Sequence, residues 1–308
     1  MQQRNTVQKL AAGSIAVALV VLGLKYLAYA ITGSVAFYSD AIESIINVVT
    51  ALAAFAAVRI SARPADAGHP YGHSKVEYFS AVLEGVLIIV ASLAILHEAY
   101  GAFLRPHPIH APVRGLVVSS VATAINGIWC YVLLSRGRRE RSPSLVADGT
   151  HLLTDVYSSG GVVVGVILVA VTGWQPLDPI VAALVAVNIV WSGWSLIRES
   201  LDGLMDAAMP PADVARVEAI IDRAMTGAIE AHDLRTRHAG RLTFIDFHLV
   251  VAGDSTVDAS HEICDRIEAA LKNAFPDTTV SIHVEPDWKQ KHGPMTLAAE
   301  PKAPPVEG

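Results

Sequence analysis

The chain has 308 residues, 52% hydrophobic and 17% charged, with a formal net charge of −6 and a mean hydropathy of +0.43. Soluble domains carry roughly a quarter charged residues, so the composition points to a membrane-embedded chain, and the negative balance excludes a nucleic-acid partner. The two cysteines, Cys130 and Cys264, lie in unlike segments and read as packing residues, not as a disulfide framework or a thiolate metal cage.

A helix needs roughly 20 mostly apolar residues to cross the hydrocarbon core. Six stretches qualify, at about 10–31, 35–60, 78–103, 113–134, 145–171 and 180–196. The opening MQQRNTVQKL lacks the small-residue cleavage site of a signal peptide, so the first apolar run is expected to stay as a span. Basic residues mark the cytoplasmic side. Arg4 and Lys9 precede the first span, Arg63 and Lys75 follow the second, and Arg136, Arg138, Arg139 and Arg141 follow the fourth. The loop at 32–34 is neutral and that at 173–179 holds only Asp178, while Arg105 and Arg114 after the third span run against the trend. The expected topology is multi-pass with both termini cytoplasmic, in a cell membrane of the bacterial inner-membrane kind.

Beyond about residue 209 the periodicity changes. Residues 212–225 have helical spacing, a strand is expected near 229–237, and 242–251 alternates, with Ile245, Phe247, Leu249 and Val251 opposite Asp246 and His248. Residues 257–274 are helical again, capped near Asp254 or Ser255, and 279–285 alternates with Val280, Ile282 and Val284 opposite Ser281, His283 and Glu285. This order predicts a small α+β domain of ferredoxin-like type. The expected organisation is a six-helix transmembrane transport domain over 1–208, a cytoplasmic metal-binding dimerisation domain over 209–287 and a Pro- and Ala-rich disordered tail over 288–308.

Ionisable residues inside spans are costly and usually functional. The second span carries Asp40-x-x-Glu43-x-x-x-Asn47 and the fifth carries Asp148-x-x-His151-x-x-x-Asp155. Offsets of three, four and seven put each trio on one helix face, and two such faces turned together would offer carboxylate, amide and imidazole ligands to a divalent metal. The competing reading is interhelical glue, the commoner role of an amide such as Asn47. Asp40 and Asp148 sit a turn earlier and fit an access path. Asp66, His69 and His73 gather within eight residues after the second span, either as metal ligands or as a polar turn set by Pro and Gly. His232, His248 and His283 fall on predicted strands with Glu285, and His261 opens the helix between them.

With these motifs in view, the chain resembles the cation diffusion facilitators, in particular the bacterial zinc and ferrous-iron efflux branch. The resemblance runs from about residue 8 to 288 and rests on TGSVAFYSDAIESIINV, RPADAGHPYGHSKVEYFSA, VADGTHLLTDVYSSGG and AHDLRTRHAG. It implies a homodimer that exports divalent transition metals (zinc, iron(II), manganese, cobalt, nickel or cadmium) in exchange for protons. It also implies that Glu43, Asn47, His151 and Asp155 hold the transported ion, and that Asp66, His69 and His73 form a loop site. By the same matching, His232, His248, His261, His283 and Glu285 form a cytoplasmic binuclear site, and Lys75 and Asp206 an interlocking salt bridge. Relatives in this branch carry Asp at the positions of Glu43 and Asn47; the longer acid and the lost anion bear on metal preference. A membrane-anchored metal sensor without flux is the alternative. A membrane metallohydrolase would need a His-Glu-x-x-His pair, which the sequence lacks.

Overall fold

The structure is a computed structural model that describes residues 2–32, 35–104, 113–174 and 176–291. Six long helices come first: α1 (Gln2–Thr32), α2 (Val35–Ser61), α3 (Val76–Leu104), α4 (Val113–Glu140), α5 (Pro143–Thr172) and α6 (Leu177–Leu204). Each covers one of the six predicted stretches. The fourth runs past its apolar part through Arg138 and Arg139, cations that a helix C-terminus favours. Among the described residues, α1, α2, α3, α4 and α6 are long and apolar enough to span a bilayer; in α5 part of the apolar half lies outside the described side chains.

Helices suit this environment because they satisfy their own backbone donors and acceptors where no water can. Many large apolar side chains accordingly point outward, Leu184, Val187, Trp191 and Trp194 of α6 among them. Between helices the packing is close. α1 lies on α2 and α4, and α5 lies against α2, α3 and α4. Ala11, Val58, Cys130, Leu133, Leu145 and Leu152 form one buried cluster, with Cys130 the packing residue expected. α3 and α6 meet at Gly85 and Gly193, where a Cβ on Gly85 would stand 2.6 Å from Ile197 and one on Gly193 would stand 2.9 Å from Ile89. Small residues let backbones approach where lipid supplies no hydrophobic drive between helices.

The chain divides between Asp202 and Gly203 into two compact units. The second holds α7 (Pro211–Ala224), β1 (Glu230–Ala239), β2 (Leu242–Val251), α8 (Val257–Ala274) and β3 (Thr278–Pro286), in the predicted order. Pro211 starts α7, where its missing N–H costs nothing. The cap of α8 is Thr256, accepting from the Ala259 N–H at 3.2 Å, and not Asp254 or Ser255. A turn bonds the Ser255 N–H to the Ala252 carbonyl, and Thr256, with extended backbone, follows it as the cap.

The sheet has the order β1-β2-β3, antiparallel between β1 and β2 and parallel between β2 and β3. Ile245, Phe247, Leu249 and Val251 are buried against Val217, Ile221, Ile267 and Leu271 of the helices, with Val280 and Ile282 at the margin. The opposite face carries Asp246 and His248 between the buried Phe244 and Val250. β1 bulges between His232 and Arg235, and Asp233 there takes φ +54°. Residues 287–289 form a short 3-10 turn after β3; of the predicted tail, 292–308 lie outside the described residues.

The Gly85–Gly193 approach predicts that Gly193→Leu lowers the melting temperature of the detergent-solubilised protein, overpacking costing about 1–3 kcal/mol. Gly101→Ala is the control, since a Cβ there meets nothing within 4 Å. Thermal unfolding followed by size-exclusion fluorescence checks it; equal melting of the two variants would contradict the close crossing.

Candidate metal centres

The first centre lies between α2 and α5. Asn47, His151 and Asp155 are all buried and form one connected unit. The Asn47 Nδ2 amide donates to Asp155 Oδ2 at 2.5 Å, and His151 Nε2 meets Asn47 Oδ1 at 2.8 Å. The amide orientation follows from chemistry: a carboxylate only accepts, so it takes the NH2 end, leaving the carbonyl to accept from the imidazole N–H. The backbone around the unit is tied by Thr50 Oγ1 to the Asn47 carbonyl at 3.0 Å, Thr154 Oγ1 to that of His151 at 2.7 Å and Ser158 Oγ to that of Asp155 at 3.0 Å. The side chains of Asp40 and Glu43 lie outside the described residues; on α2, Glu43 precedes Asn47 by one turn. Asp148, one turn before His151, is buried too, as is Glu84 of α3, which accepts from Ser80 Oγ at 3.3 Å.

The second centre is the loop between α2 and α3. Asp66 organises it: Oδ1 accepts from the N–H groups of Gly68 at 2.9 Å and His69 at 2.8 Å. His69 Nδ1 stands 3.3 Å from the same oxygen, and His73 Nε2 stands 3.4 Å from Oδ2. Gly72, at φ +84°, turns the chain so that the two imidazoles face each other with ring centroids 4.4 Å apart. The three residues offer ligand atoms within 4.8 Å of one another, and His73 Nδ1 is buried without a hydrogen-bond partner. Lys75 follows at the approach to α3, its carbonyl accepting from the Tyr78 N–H at 3.1 Å.

The third centre is a row across the sheet. His232, His248 and His283 are register partners on β1, β2 and β3, and neighbouring ring centroids are 5.4 and 4.9 Å apart. Glu285, two residues along β3, reaches all three: Oε2 to His232 Nε2 at 3.2 Å, Oε1 to His248 Nδ1 at 3.4 Å and to His283 Nε2 at 3.8 Å. The bulge adds a ligand that strand alternation hides. The extra residue lets Asp233 share the polar face with His232, and His232, Asp233 and His248 form a ligand-competent group. His232 is 2% exposed. Its Nδ1 lies 3.1 Å from Glu230 Oε1 and its Nε2 3.2 Å from Glu285 Oε2, yet neither contact has hydrogen-bond alignment. A neutral imidazole donates from one nitrogen only, so lone pair and carboxylate face each other, an arrangement that a divalent cation relieves. His261 stands on α8, 74% exposed, beside Asp265 at 3.6 Å. Asp206 is held by Arg237 Nη1 at 2.9 Å.

Comparison with known proteins bears on these centres. The cation efflux transmembrane domain matches residues 12–205, and the cytoplasmic domain of cation efflux proteins matches 209–287. The chain belongs to the cation diffusion facilitator family. Among its relatives is an uncharacterised transporter, sll1263 of a Synechocystis strain, 44% identical over 89% of this chain and 88% of its own. The cation-efflux pump FieF of Escherichia fergusonii is 30% identical over 91% of this chain and 93% of its own. A solved structure of CzrB in a zinc form covers 28% of this chain and 98% of its own at 46% identity, with a TM-score of 0.27. This facilitator is therefore a multi-pass membrane transporter of divalent metal cations and not an enzyme.

In the facilitator's loop centre, the His69 backbone amide, ahead of the other contacts, holds the Asp66 carboxyl below its usual pKa of 3.8. A depressed folded-state value means that the turn's stabilisation is present above the ordinary pKa and is lost as pH falls through the lower one. The Gly68 and His69 amides should therefore stay protected from hydrogen exchange down to pH 3.8, measured over the 62–76 segment and corrected for intrinsic rates. Deprotection beginning near pH 5 would show that Asp66 does not carry the turn.

Proposed function

We propose that this facilitator exports a divalent transition metal, of the zinc or iron(II) kind, from the cytoplasm by antiport with protons. Glu43, Asn47, His151 and Asp155 are proposed to hold the ion, with Asp40 and Asp148 along its access path. The observation that carries this reading is the buried Asn47–His151–Asp155 unit joining α2 to α5. The Asn47 amide bridges the His151 imidazole N–H and the Asp155 carboxylate. His151 Nε2 can become a ligand only after its proton has left or moved to the other ring nitrogen, and metal and protons thus compete for the same atoms. On the far side, reprotonation would break the metal–imidazole bond. Asn47 supplies a neutral carbonyl oxygen, so the centre carries less negative charge than one built with a further aspartate. Alternating access would come from rocking of the helices around the centre.

The loop centre and the histidine row are proposed as further metal sites, the row including His261 and supporting a homodimer of the cytoplasmic domains. The proposed units are the transport domain at 1–208, the cytoplasmic domain at 209–287 and a tail at 288–308, with both termini in the cytoplasm of a bacterial cell.

Proteoliposomes with a pH gradient and a metal-sensitive dye inside provide the test. Asp155→Ala and His151→Ala should each cut uptake by about 10–100-fold or more, since losing even an outer-shell partner of a metal typically costs that much. Wild-type flux in Asp155→Ala would sink the assignment. Asn47→Asp should tighten metal binding and shift the order of preference among zinc, iron(II), manganese and cobalt.

A further inference from the structure

One cation already sits on the histidine row. Lys291 follows the 3-10 turn of Asp287–Lys289, in which the Gln290 N–H bonds to the Asp287 carbonyl at 3.2 Å. Its ammonium meets Asp233 Oδ2 at 2.5 Å, and its backbone N–H donates to Glu230 Oε1 at 3.1 Å. Both oxygens also approach imidazoles of the row. Glu230 Oε1 is 3.1 Å from His232 Nδ1, and Asp233 Oδ2 is 3.9 Å from His248 Nδ1. Trp288, in the same turn, lies over Gly253, where a Cβ would come within 2.9 Å of its ring. The segment is thereby held beside β1 and β2.

Resting on the reading of this row as a metal site, we propose that Lys291 is a tethered cation occupying the acidic flank of the row in the absence of metal. A divalent ion displaces it, and metal occupancy frees Gln290 and Lys291 from the sheet. Electrostatics makes the two occupants exclusive. Glu230, Asp233 and Glu285 bring three carboxylates to one face, and an ammonium answers part of that charge. A divalent ion drawn to the same oxygens meets a like charge, so one must leave. The Lys291–Asp233 pair is partly exposed, the lysine at 52% and the aspartate at 24%. Such a pair is weak, and it yields to coordinate bonds. Lys291 then sets the metal concentration at which the row fills, and couples filling to release of its own side chain.

The test uses the full chain in detergent, in a background of Asp66→Ala with Asp155→Ala so that zinc reports on the row. Zinc affinity comes from competition with a chromophoric chelator. Lys291→Met should tighten zinc by about fivefold, the scale of one exposed ion pair, and Lys291→Arg should stay near the parent. Independently, trypsin cleavage after Lys291 requires its side chain to be free. Zinc should therefore speed that cleavage relative to cleavage after Lys302. Unchanged affinity in Lys291→Met together with zinc-insensitive cleavage overturns the tether while leaving the row a metal site. If His232→Ala binds zinc as the parent does, the row reading fails and the tether falls with it.

Discussion

The transport domain depends on one polar contact between two helices. Asn47 of α2 holds both His151 and Asp155 of α5 through a single amide group. In a low-dielectric interior hydrogen bonds gain strength, and leaving a buried polar group unpaired is costly. Apolar side chains alone could not fix the rotation of α2 against α5, because lipid tails compete with them on equal terms. The amide fixes it, and Thr50, Thr154 and Ser158 close onto neighbouring carbonyls and keep the backbone in place. A centre made this way joins α2 and α5 through side-chain hydrogen bonds alone.

The cytoplasmic domain solves a related problem with strand register. Three histidines far apart in sequence become neighbours because β1 pairs antiparallel and β3 parallel to β2 at the same position. The helices cover the other face of the sheet, leaving this one for polar groups. The bulge at Asp233 breaks alternation where a second anion is useful, and the left-handed backbone there, φ +54°, is a conformation that Asp tolerates better than most residues. Glu285 then joins the row as a carboxylate shared among three imidazoles.

Much of this was legible beforehand. The six apolar stretches foretold six helices because crossing a bilayer fixes length and polarity together. The alternation in 242–251 foretold Ile245, Phe247, Leu249 and Val251 in the core because strand side chains have a period of two; in 279–285 it held for Val280 and Ile282, while Val284, near the strand end, is exposed. Asp233 escaped notice for the same reason: alternation assigns it to the face opposite His232, and the bulge is set by pairing with β2, not by local composition. Lys291 was missed because it enters the row only through contacts bridging some 60 residues of chain; Glu230, two residues before His232 on β1, was within reach of the alternation argument. The cap of α8 moved by one or two residues since Asp254, Ser255 and Thr256 are all competent, and the preceding turn made the choice.

The sequence by itself determined the class of molecule: a membrane transport domain with paired polar trios, joined to a small α+β domain rich in strand histidines. Periodicity and charge are local properties, and they are written residue by residue. The tertiary structure decided which donors share an ion. That depends on helix rotation, strand register and a bulge, each settled by packing between distant segments, where a shift of one residue would turn the same side chains to another face.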